Sequence, residues 1–123
     1  LLASIAPDGS VRERVAKFFD YLDAMTPRRV RHGCPLARLM IDLPPDADFD
    51  DARAIGQSVF DDLVDWLATQ FVAAGMVSTK AETEGRRIIV RWQGAIILAH
   101  AMNDRAILDD EIEDLRQTAQ QLL

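Results

Sequence analysis

Apolar residues recur three and four positions apart along most of the chain, the spacing that places side chains on one face of an α-helix. Val11, Val15, Phe18, Leu22 and Met25 make the first stripe. Ser10 and Glu13 stand at its start with capping-box spacing: the hydroxyl accepts from the N3 amide while the carboxylate reaches back. The pattern predicts a helix over 10–25, stopped by Thr26 and Pro27, because the residue before a proline is pushed out of the helical region. Residues 1–6 read as the tail of an earlier helix, broken by Pro7, Asp8 and Gly9.

Residues 27–34 read as a basic connector carrying Arg28, Arg29, Arg31 and His32 and ending at Gly33. Pro35 suits a first helical turn, where its missing N–H costs little. Leu36, Leu39, Met40 and Leu43 follow at helical spacing until Pro44 and Pro45 end a short helix. The acids from Asp46 to Asp51 lead into the next helix and suit the positive end of its dipole. There Ile55, Val59, Leu63, Trp66 and Gln70 form one stripe, with Phe60, Val64, Leu67 and Phe71 beside it. Two adjoining stripes imply a helix contacted on more than one side. Gly75 is placed to end it.

Thr79 and Glu82 repeat the capping-box spacing and predict a helix over 80–102. Its second half, from Ile88 to Met102, is apolar on nearly every side. Ile88-Ile89-Val90 has strand propensity, but the apolar run continues too long and no turn chemistry follows it. After Asn103-Asp104, a last helix carries Ile107, Leu108, Ile112, Leu115, Ala119 and Leu122 on one side. A surface helix in so small a domain needs only one apolar face, so the 88–102 segment is expected to be shared with a second copy of the chain. Gly94, Ala95, Ala99 and Ala101 would permit close approach there. The plainer alternative is the central helix of a monomeric bundle.

A length of 123 residues is that of one domain, and 49% hydrophobic with 28% charged residues describes a folding chain. The formal net charge of -6 argues against the chain gripping a phosphate backbone by itself. A single cysteine, Cys34, excludes an internal disulfide and a cysteine-only zinc site. No apolar run approaches the roughly 20 residues of a bilayer span, and no secretory signal is visible, so a cytoplasmic chain without membrane partners is expected. Leu1 in place of an initiator Met suggests a fragment or a processed chain.

Asp46, Asp48 and Asp50 imitate the start of a calcium loop, but Asp51 replaces its glycine and Gln57 its glutamate. The spacing of His32, Cys34 and His100 is not that of a zinc site. No phosphate loop, GxSxG elbow or HExxH occurs, and Asp61/Asp65 has the look of a solvated face. No catalytic residue, metal or cofactor is therefore expected. Cys34, close to several arginines, is a minor candidate for redox sensing.

Three stretches carry a family resemblance. Arg31-His32-Gly33-Cys34-Pro35-Leu36-Ala37-Arg38-Leu39 resembles the start of the short sixth helix of TetR-family transcriptional regulators. Phe60 to Leu67, followed by Ala73-Ala74-Gly75, is similar to their long seventh helix and its ending. Val90 to Ala101, with Gln93-Gly94-Ala95 at its centre, resembles their eighth helix, and Asn103-Asp104 the passage into the ninth. The likeness covers nearly the whole chain but only the C-terminal half of a family member. The three-helix DNA-binding unit is absent, and residues 1–6 would be the end of the linking helix.

The resemblance implies an all-α domain of five to six helices over 1–123, a homodimer formed through a four-helix bundle, and a cavity for a small apolar or amphipathic inducer. DNA would be bound only through the missing helix-turn-helix, and the parent would be a repressor released by its inducer. Candidate pocket residues are Phe18, Tyr21, Leu22, Met25, Leu39, Met40, Phe60, Leu63, Val64, Leu67, Trp92, Ile96 and His100. Candidate dimer residues are Gly94, Ile97, Ala101, Ile112, Leu115 and Ala119. The competing reading is a small helical enzyme, or a stand-alone dimeric module, binding an anionic ligand through Arg28, Arg29 and Arg31.

Overall fold

Five α-helices make up the chain in the computed structural model, which describes residues 2–5 and 7–123: α1 Val11–His32, α2 Pro35–Asp42, α3 Asp50–Ala73, α4 Ser78–Met102 and α5 Arg105–Leu122. Leu2–Ser4 forms a single 3₁₀ turn and Ile5 is buried against the core; Leu1 and Ala6, which also belong to the expected linking-helix tail, lie outside the described residues. The all-α class follows from the periodicity.

The start of α1 forms as the sequence predicts. The Glu13 amide donates to Ser10 Oγ at 3.1 Å, and the Ser10 amide donates to Glu13 Oε2 at 3.4 Å. Its end corrects the prediction. The helix runs through Pro27 to His32, so the basic connector is helix. A proline costs one backbone bond, here to the Asp23 carbonyl. Asp23 and Pro27 are both exposed, so water can take that carbonyl. Beyond the proline, Val30 packs against the core. Gly33, at φ 74°, then closes the helix by donating its amide to the Arg29 carbonyl at 2.8 Å. His100 of α4 adds a bond from Nδ1 to the Val30 carbonyl at 2.9 Å.

Gly75 ends α3 in a left-handed turn at φ 103°. Its amide donates to the Val72 carbonyl and that of Met76 to the Phe71 carbonyl, the paired bonds of a Schellman motif. The Thr79/Glu82 capping box does not form: α4 begins at Ser78, with Val77 before it and no side-chain cap. At its other end Asn103 takes a left-handed φ of 49°, and Asp104 caps α5 by accepting from the Ala106 amide at 3.0 Å.

α4 is the hub, packing on α3, α5 and α1. Phe18, Phe19, Leu22, Leu67, Phe71, Ile96, Leu108 and Ile112 are fully buried where the helices meet. Burying each such side chain contributes about 1.5–3 kcal/mol relative to exposure. Ion pairs set α5 between its neighbours. Arg91 of α4 reaches Glu111 at 2.6 Å and Asp114 at 2.5 Å. Both contacts hold the guanidinium further toward its charged form than usual, Glu111 the more. Arg116 of α5 pairs with Asp20 and Asp23 of α1 and lies 5.8 Å above the Phe19 ring. α3 departs from its predicted stripes at one end, where Ile55 and Val59 are exposed.

Candidate functional site

The two faces of α4 differ in what covers them. Ala81, Gly85, Ile88, Ile89, Trp92, Ala95, Ile96 and Ala99 are buried and form its inner stripe. Val90, Gly94, Ile97, Leu98, Ala101 and Met102 form a second stripe, and every one of them is exposed. The second is two residues out of step with the first, roughly 200° round the helix. The helix is therefore apolar on opposite sides, and its own chain covers one. Gly94 has nothing within 4 Å of where a Cβ would stand, so nothing in its own chain requires a glycine there.

The candidate dimer residues divide accordingly. Gly94, Ile97 and Ala101 stand on the uncovered stripe. Ile112, Leu115 and Ala119 do not: they are at most 1% exposed, packed against their own chain. This corrects the expectation for α5, whose apolar side is spent on α1 and α4. Its exposed positions are polar or small, among them Asp110, Glu113, Asp114 and Gln117.

The thirteen candidate pocket residues are not gathered round one space. Phe18, Leu22, Leu67 and Ile96 are fully buried, and Phe18 stacks on Trp66 at 5.5 Å between ring centres. Leu63 is buried, while Met25, Met40, Phe60 and Val64 are half-buried. Tyr21, Leu39 and His100 are exposed, so they stand on the surface rather than in the interior. Met40 lies over α3 at Gly56, where any Cβ would overlap its sulfur. Phe60 and Val64 line a groove of about 410 Å³ between α3 and α4, together with Asp61, Asp65 and Gln93. Ile96 and His100 line another of about 230 Å³ between α2 and α4.

Trp92 stands out from the rest of the set. It is 3% exposed, yet its indole N–H has no hydrogen-bond partner. An unmet buried donor costs roughly 1–3 kcal/mol, so an interior acceptor would be welcome there. Both polar atoms of the neighbouring Gln93 side chain are also buried and unpaired. The sequence reading singled out Trp92 but missed Gln93, Arg38 and Ile41, of which the last two line the α2–α4 groove. The signal was there: Arg38 and Ile41 are three apart on α2 and share a face.

Residues 11–114 match a family model described as "Transcriptional regulator LmrA/YxaF-like, C-terminal domain", a TetR-type C-terminal domain. The chain belongs to the TetR family. No curated protein matches it. TetR C-terminal domains serve regulators in ligand binding and dimerisation, and their class is regulatory rather than catalytic. In this TetR domain α1, α3 and α4 form the bundle, α2 lies across α3, and α5 closes the other side. None of the described helices is long and apolar enough to cross a membrane.

Proposed function

We propose that this domain binds a small-molecule inducer in its bundle and pairs with a second copy through the outer stripe of α4, as part of a repressor released from DNA by that inducer. One observation carries the reading: α4 has the bundle core on one face and an uncovered apolar stripe on the other. A ligand that accepts from Trp92 Nε1 presses on the same helix that meets the partner. Moving α4 then changes the angle between two copies, and with it the spacing of the DNA-reading units joined upstream.

Such a device works by population shift: the inducer favours one spacing by its differential affinity for the two states. Couplings of this kind are typically about 1–3 kcal/mol, roughly 5–150-fold in affinity. The reading units must lie about 34–36 Å apart to engage successive turns of one DNA face, so a small tilt suffices to lose register.

The test is a thermal-shift screen of small amphipathic compounds, with Trp92→Phe as comparator. A bound inducer at 100 times its Kd adds about 2.7 kcal/mol of stability. Compounds that stabilise the native domain, and lose that effect in Trp92→Phe, are the expected result. Stabilising compounds that act equally on both would remove Trp92 from the site.

A further inference from the structure

Polar side chains are scarce in the interior of the bundle, and nearly all of them are engaged. Among the described residues, Thr26 and Gln70 are the buried polar side chains besides the Trp92 indole. The Thr26 hydroxyl donates to the Leu22 carbonyl at 3.1 Å. Gln70 accepts from Arg14 Nε at 2.9 Å and donates to the Trp66 carbonyl at 3.4 Å. The Trp92 N–H donates to nothing, although the side chain is only 3% exposed. The other unpaired buried atoms among the described residues belong to Gln93 and Arg29, neither of them fully buried. Gln93 is turned about 100° from Trp92 and lines the α3–α4 groove, and Arg29 belongs to the end of α1.

An indole N–H can only donate, so whatever completes it must accept. Water is a poor occupant. A buried water typically makes about three hydrogen bonds, and the engaged side chains of this core leave it the indole alone. A charged group fits no better. None of the buried residues carries an ionisable side chain, so an ion would lose its hydration without meeting a counter-charge. Further polar groups on a ligand would likewise find no free side chain to meet them.

We infer that the effector site at Trp92 takes an uncharged, largely apolar molecule with a single acceptor, a ring nitrogen or an ether or carbonyl oxygen, held by the indole N–H. The inference rests on the effector-binding reading above and names the ligand class for that same site. Trp92 belongs to the inner stripe of α4 and shares no residue with the outer one, so ligand and second copy meet the helix on opposite faces.

Three probes with one bicyclic skeleton test it. Quinoline has a ring acceptor and no charge near neutral pH, naphthalene has no acceptor, and N-methylquinolinium is a fixed cation. Each is titrated into the full chain, isotope-labelled at tryptophan nitrogen, and the Nε1–H resonance of Trp92 is followed. Trp66 is the only other tryptophan, so Trp66→Phe assigns the signal. Quinoline is expected to move that proton downfield saturably, beyond the ring-current shift that naphthalene gives, and N-methylquinolinium to leave it in place. By equilibrium dialysis, Trp92→Phe is expected to weaken quinoline roughly tenfold, as loss of a buried hydrogen bond does, and to leave naphthalene within about twofold. Comparing each probe with itself cancels their different hydrophobicity. The resonance is read with the native indole in place, so it decides even where Trp92→Phe folds poorly. Equal binding of the cation, a quinoline complex that leaves the proton unmoved, or equal weakening of quinoline and naphthalene overturns the assignment. Absence of quinoline binding overturns it too. The effector-binding reading falls separately, only if the thermal-shift screen finds no compound of any charge that stabilises the native chain.

Discussion

Gly85 and Gly94 share one helix, and the same substitution is expected to act on them in opposite directions. Replacing a helical glycine by alanine gains about 0.8–1.0 kcal/mol from backbone entropy alone. At Gly94 a new Cβ meets nothing within 4 Å, so an isolated chain should keep the whole gain, roughly 3–6 °C in Tm. At Gly85 the Cβ would stand 2.9 Å from the Val64 carbonyl oxygen and 3.4 Å from the Ala68 nitrogen and Leu67 Cβ. Backbone atoms cannot rotate away, so α3 must move off α4. Overpacking of this kind costs about 1–3 kcal/mol. The propensity gain is common to both sites and cancels in the comparison. Gly94→Ala should therefore exceed Gly85→Ala in stability by about 1–3 kcal/mol.

Urea unfolding at one protein concentration measures this, read from the midpoint at constant slope. The comparison belongs in a Leu98→Glu background, where a charge on the outer stripe prevents pairing and leaves the chain's own packing exposed to view. Repeating Gly94→Ala in the native background closes a double-mutant cycle. A shortfall there relative to the Leu98→Glu background reports a partner helix close against Gly94. Equal stabilities of the two alanine variants in the Leu98→Glu background would refute the packing argument at Gly85. An undiminished gain in the native background would refute the close contact at Gly94.

Three further outcomes follow from the packing. Phe71→Ala, at a fully buried site, should cost about 3–5 kcal/mol in chemical unfolding. Asp104→Ala removes the cap of α5 and should cost about 1 kcal/mol, while Asp104→Asn should keep most of it. Arg91→Gln should cost less than about 1 kcal/mol, because the side chain is 39% exposed and the pair is screened. The folded-state pKa of Arg91 is raised, so its contribution is fully present below the ordinary arginine range and is lost only as pH climbs through the raised value. Unfolding titrations between about pH 7 and about pH 10 should thus show the same difference between Arg91→Gln and the native chain.

Local rules carried the sequence reading where the chain obeys them locally. Ser10 and Glu13 cap α1 through their own side chains, and Gly75 ends α3 because its left-handed φ suits only a residue without Cβ. Pro27 misled because its neighbours' packing decides: Val30 on the core and His100 against the helix end hold α1 together past the proline. Thr79 and Glu82 had the spacing but not the position, since α4 starts one residue before Thr79. Ile112, Leu115 and Ala119 had the right face and the wrong neighbour, because periodicity marks an apolar side without saying whether the chain or its copy covers it. The α2–α4 groove was the least legible. It joins residues from both ends of the sequence, and only the folded chain brings Arg38, Ile41 and His100 together.

The central claim is that a second copy covers the outer stripe of α4, and sedimentation equilibrium tests it most directly. At micromolar concentration the native chain should sediment at twice its chain mass, and Leu98→Glu should sediment as a monomer that retains its helical circular dichroism. A native chain that stays monomeric at those concentrations, or a Leu98→Glu variant that pairs as well as the native chain, would contradict the account.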